Sequence, residues 1–137
     1  MKKKEDEMPT KAKPDFALIH TRLKAIMQKY ESAILQPQNN RPDNYELVRL
    51  PDEHSQGKTL WFGAVRTGKR YVSYHLMGVY AFPDLLEGIS AELKQRMQGK
   101  SCFNFTKMDE KLFKELDKLT DGSIMRFKKA KWLGQSR

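Results

Sequence analysis

Two runs rich in aromatic and β-branched residues, Thr59-Leu60-Trp61-Phe62-Gly63-Ala64-Val65 and Tyr71-Val72-Ser73-Tyr74-His75-Leu76-Met77, are separated only by Arg66-Thr67-Gly68-Lys69-Arg70. Both runs favour the pleated, half-buried surface of a strand, and Gly68 gives the connection the freedom to close as a hairpin. Side chains alternate across a strand, so Val72, Tyr74 and Leu76 share the predicted core face while Tyr71, Ser73, His75 and Met77 share the other. A lone hairpin is marginal in water, so the rest of the chain must cover the apolar side.

Two helices are read from apolar spacing. Phe16, Ile19, Leu23, Ile26, Met27, Tyr30 and Ile34 recur at steps of three or four behind Asp15, whose carboxylate suits an N-cap. Leu112, Phe113, Leu116 and Leu119 mark the second helix, capped by Asp109; it either continues through Gly122 to about Lys129, the preferred reading, where glycine costs about 1 kcal/mol relative to alanine, or breaks at Thr120-Asp121-Gly122 and restarts after Ser123. Between them, Gln36 to Asn44 carries two prolines and three asparagines and predicts a loop. Tyr45 to Leu50 reads as a short strand, and Pro51 to Gly57 as a turn-rich connection. Pro83 to Gly88 suggests a helical turn, and Ser90 a cap on a helix over Ala91 to Met97 that Gly99 would stop. Ser101 to Phe105 reads as the last strand, with Phe103 and Phe105 on one side and Cys102 and Asn104 on the other. This order predicts the α+β class, an antiparallel sheet with N- and C-terminal helices on one face. Residues 1–13 read as a charged tail, 14–131 as a single domain and 132–137 as a short tail; 137 residues suffice for one real core.

The net charge of +9 raises the question of nucleic acid, so its location matters. Residues 1–13 contribute +2, residues 14–121 another +2 and residues 122–137 the remaining +5. The folded body is therefore almost neutral, unlike a basic phosphate-binding face. Two local clusters remain, Arg66, Lys69 and Arg70 at the hairpin tip and Lys128, Lys129 and Lys131 at the end of the last helix. Both stand beside aromatic residues, as in single-strand binders, and define a nucleic-acid alternative. No apolar run reaches the roughly 20 residues of a spanning helix, and Met1 to Glu7 lacks the apolar stretch of a secretory signal, so a cytoplasmic address is expected. Cys102, the single cysteine, excludes an internal disulfide and a CxxC site.

The motif Gly57-Lys58-Thr59 lacks the first glycine of a phosphate loop, since Asp52 holds that position, and a strand follows it instead of a helix. His75 projects from the more polar sheet face toward which Cys102 and Asn104 also point. Adjacent strands would give His75 and Cys102 the makings of a Cys/His nucleophile or a two-donor metal site, although strand cysteines are more often inert small hydrophobes. Asp117 and Asp121, at i and i+4 on the last helix, form the candidate carboxylate pair for Fe2+. Lys111, Lys114 and Lys118 interleave them, which makes an ion-paired helix face the commoner meaning.

The stretches Tyr71-Val72-Ser73-Tyr74-His75-Leu76-Met77-Gly78-Val79-Tyr80 and Ile89-Ser90-Ala91-Glu92-Leu93-Lys94-Gln95-Arg96-Met97-Gln98-Gly99-Lys100-Ser101-Cys102-Phe103-Asn104-Phe105 resemble the YdhG-like family of small bacterial proteins, a domain of unknown function. The Pro14-Asp15-Phe16 opening and the Asp109 to Leu119 segment are also similar, so the likeness covers about residues 14–130. The resemblance implies a frataxin-like sandwich. Some members look like iron chaperones that carry ferrous iron on acidic surface residues toward iron–sulfur or haem assembly. Here the first helix and first strand offer only Asp15, Glu31 and Glu46 beside Arg22, Lys24, Lys29 and Arg49, a departure from an acidic iron-binding ridge. The expectation is a non-enzymatic cytosolic binding domain whose open sheet face, around Trp61, Tyr71, Ser73, His75, Cys102 and Asn104, contacts a protein or small-molecule ligand.

Overall fold

A computed structural model of the chain describes residues 15–51, 57 and 59–130. In order, the elements are α1 (Phe16–Gln28), β1 (Leu35–Arg41), β2 (Asn44–Arg49), β3 (Leu60–Thr67), β4 (Val72–Leu76), α2 (Met77–Ala81), a 3-10 turn (Pro83–Gly88), α3 (Ala91–Gln95), β5 (Met97–Gln98), β6 (Cys102–Phe105) and α4 (Glu110–Lys129). The strands form one antiparallel sheet of six in the order β1-β2-β3-β4-β6-β5. The chain is therefore α+β, and the tails at 1–13 and 132–137 lie outside the described residues.

Helices α1 and α4 start where their caps predict. Asp15 Oδ1 accepts from the Leu18 N–H at 3.0 Å, and Asp109 Oδ1 from the Leu112 N–H at 3.2 Å, each satisfying an otherwise unpaired donor. Helix α4 runs unbroken through Gly122. Helix α1 ends at Gln28, so the expected extension to Ile34 is corrected: Ile34 packs on the core from the connection to β1. The two helices lie side by side in the same direction, as Arg22 pairs with Glu110 and Lys29 with Asp117 seven residues further along each.

The predicted interior is present. Val72, Tyr74, Leu76 and Phe103 are fully buried and Phe105 nearly so, beneath α1 and α4. Tyr74 lies within 2.6 Å of Thr120 Oγ1, whose own hydroxyl donates to the Leu116 carbonyl, so the tyrosine supplies the proton of the buried bond. Phe105 meets Phe113 edge to face, and Phe62 and Phe82 meet Phe127 in the same way.

Three further expectations are corrected. The segment Gln36 to Asn44 is not a loop: β1 and the start of β2 pair across it, joined by the two-residue connection Pro42-Asp43. Pro37, which has no N–H to give a ladder, sits on an edge strand at an irregularity between Pro37 and Asn39. Met97 is not the end of a helix, since α3 stops at Gln95 and Met97-Gln98 form the edge strand β5; Gly99, with φ of 75°, closes the turn into β6. Met77 opens α2 and does not extend β4.

Candidate functional site

Among the described residues, α1 and α4 pack on the Val72–Tyr74–Leu76 side of the sheet. The opposite side carries no helix among the described residues. There, antiparallel register sets Ser73 opposite Asn104 and His75 opposite Cys102, and directly opposed pairs are the closest neighbours a sheet offers. Asn104 is the hub. Its Oδ1 accepts from Ser73 Oγ at 2.9 Å and from Cys102 Sγ at 3.2 Å, while its Nδ2 donates to Gln98 Oε1 at 2.6 Å. Tyr71 OH reaches the same Gln98 oxygen at 3.4 Å. His75 Nε2 lies 3.7 Å from Cys102 Sγ, and the Trp61 ring meets the His75 ring edge-on with centroids 5.9 Å apart. All six residues expected on this face are thus brought together.

The position of Trp61 depends on an irregularity. Leu47 pairs with Gly63 and Val48 with Trp61, so Phe62 is an extra residue in β3. Such a bulge resets the alternation. Phe62 and Gly63 both turn to the core, Trp61 and Ala64 to the other side. Strict alternation from Gly63 would have buried Trp61. Gln98 was missed in the sequence because its segment reads as the end of a helix.

Electrostatics argue against a catalytic cysteine. Burial raises the Cys102 thiol's pKa, and burial followed by the positive Arg66 lowers that of His75, so both groups are held neutral. A thiolate is the reactive form, and here its formation is opposed.

The nucleic-acid residues do not converge. Arg66 is tied to Glu46 and to Asn44, leaving Lys69 and Arg70 exposed at the tip. Lys128 and Lys129 are exposed at the far end of α4, while Lys131 lies outside the described residues. Phe113 packs near the tip and Phe127 near the opposite end, separated by about 21 Å of helix at 1.5 Å per residue. Asp117 and Asp121 share a cleft with Lys29, Tyr30, Lys114 and Lys118. Asp117 accepts from Lys29 Nζ at 2.6 Å and from Tyr30 OH at 3.3 Å, and burial with the neighbouring carboxylates pushes the Tyr30 hydroxyl up to about 12. Asp117 is thus ion-paired to Lys29 on this helix face.

Beside the Asn104 cluster, Glu46 accepts from Arg66, Asn39 and Gln38, and the Arg66 bond in particular holds its carboxyl down at about 2. Its unfolded value is near 4.5, so the stabilisation is complete above that pH and is lost as pH falls from about 4.5 to about 2. After screening by solvent we expect about 1–2 kcal/mol from it. Glu46→Gln should lower the urea midpoint near neutral pH and match the parent near pH 2; an equal deficit at both would remove the ion pair as the cause.

No family model, curated protein or solved structure matches the chain. No helix among the described residues is long and apolar enough to cross a membrane.

Proposed function

We propose that the chain is a recognition domain of the YdhG-like kind, a frataxin-like sandwich without catalytic machinery, whose helix-free sheet face binds an uncharged hydrogen-bonding group of a protein or small molecule. The observation that carries this reading is the Asn104-centred network beside Trp61. Aromatic area and directional polar groups are held on one rigid sheet, a combination enriched at recognition surfaces. Arg66, the charge that acts on His75 and Cys102, is already paired with Glu46, which favours a neutral ligand over phosphate or a carboxylate. Parallel helices on the opposite side and a sheet of antiparallel strands support the sandwich. Ferrous iron on Asp117 and Asp121 is left out of the proposal because Lys29 already neutralises Asp117.

A photo-crosslinking aromatic residue in place of Tyr71, at the rim of this face, compared with one at the exposed Met125 on α4, tests the assignment in cells while keeping Asn104. A discrete adduct is expected from position 71 and should weaken at least tenfold with Trp61→Ala, whose ring belongs to the proposed contact. Equal or absent adducts at the two positions would refute recognition by this face.

A further inference from the structure

We propose that Cys102 Sγ and His75 Nε2 together bind one soft monovalent cation of the Cu(I) or Ag(I) class. The two atoms come from directly opposed residues on β4 and β6, so the backbone ladder fixes their approach. They stand 3.7 Å apart. At the bond lengths of the d10 ion zinc, about 2.3 Å to sulfur and about 2.0 Å to imidazole nitrogen, a trigonal angle separates the donors by about 3.7 Å, the spacing found here, and the larger Ag(I) asks for a slightly wider one. A tetrahedral angle would bring them closer, to about 3.5 Å.

Donor type and charge select the ion. Thiolate with imidazole is a soft set that suits Cu(I) over hard cations. One thiolate neutralises one monovalent ion, leaving no net charge in a half-buried place near Arg66. A divalent ion would leave a positive charge there and would call for more donors, while no group of three or more His, Cys, Asp or Glu side chains is gathered among the described residues. Soft monovalent ions are satisfied by two or three ligands, and the trigonal arrangement leaves a third position for an exogenous one. On binding, the Cys102 S–H proton passes to solvent as the sulfur–metal bond forms, His75 Nε2 gives its lone pair, and no electron is transferred.

The recognition reading uses the same sheet face, where Cys102 donates to Asn104 and Trp61 meets His75. The variants here keep Trp61 and Asn104 in place, and silver binding is read separately from crosslinking, so failure of one proposal is distinguishable from failure of the other. Silver(I), which needs no reductant, is the probe. Titration of the full chain, followed by native mass spectrometry and competition with a thiol chelator, should show one high-affinity equivalent. Cys102→Ser should weaken it at least about 100-fold and His75→Gln at least about tenfold. In the parent, the His75 ring nitrogen resonance should shift in step with silver, a readout that does not depend on how the variants fold. An unmoved His75 resonance would overturn the proposal and leave a plain thiol, as would parent-level affinity in His75→Gln. Undiminished binding in Cys102→Ser would overturn it too.

Discussion

Gly78→Ala is expected to destabilise the protein by about 3 kcal/mol, the upper end for overpacking a well-filled interior. Gly78 lies in α2, directly after β4, where that helix crosses α4. A Cβ placed there would stand 1.6 Å from Ser123 Oγ, 2.5 Å from Ser123 Cβ and 3.2 Å from its Cα. The obstacle is the stem and backbone of a buried residue in the middle of a long helix, so no rotamer change relieves it. Ser123 is fully buried, and its hydroxyl has no hydrogen-bond partner among the described residues, consistent with a residue chosen there for size. Combining Gly78→Ala with Ser123→Gly should therefore recover more than half of the loss, even though glycine in a helix costs about 1 kcal/mol by itself. Urea unfolding of the two single variants and the double variant supplies the cycle. A Gly78→Ala protein as stable as the parent would mean that the two helices are not packed this closely.

The sequence revealed elements whose periodicity comes from one buried face. The β3–β4 hairpin, β6 and α4 all show it, because Val72, Tyr74, Leu76, Phe103, Phe105, Leu112 and Phe113 are apolar at the spacing their backbone imposes. Strand β1 shows none. Only Leu35 is buried in it, and Gln36 to Arg41 are polar or proline because they lie on an exposed edge; its extended shape comes from pairing with β2, a tertiary cause. The end of α1 was hidden for the opposite reason: Tyr30 and Ile34 continue the helical spacing after the helix has stopped, since both still pack on the core. At the candidate site, Ser73, His75, Cys102 and Asn104 were legible through alternation alone. Their pairing register was not, because which residue faces which depends on the long-range alignment of β4 with β6. Gln98 was lost with the misread end of α3, and the bulge that turns Trp61 outward leaves no mark in a single sequence.

That bulge also supports the second large prediction. Phe62→Ala should lower stability by about 3–5 kcal/mol, a large share of the 5–15 kcal/mol that holds a domain of this size. Phe62 is completely buried, and its ring meets Phe127, which in turn meets Phe82 beneath the Arg126 guanidinium, 4.6 Å from the Phe82 centroid. Truncation opens a cavity between β3 and the last turns of α4, and the aromatic chain loses its inner member. The sheet itself should persist, because alanine keeps the extra residue that shifts Leu47 against Gly63 and Val48 against Trp61. The variant should therefore unfold at a lower urea concentration while the Trp61, His75, Cys102 and Asn104 resonances stay close to their parental positions, and hydrogen exchange should quicken most along the end of α4. Large shifts at Trp61 and His75 would show that the buried ring, more than the count of residues in β3, sets the outward face. In that case the outward sheet face and the core would prove to be one cooperative unit, with the face existing only as long as Phe62 anchors the strand from below.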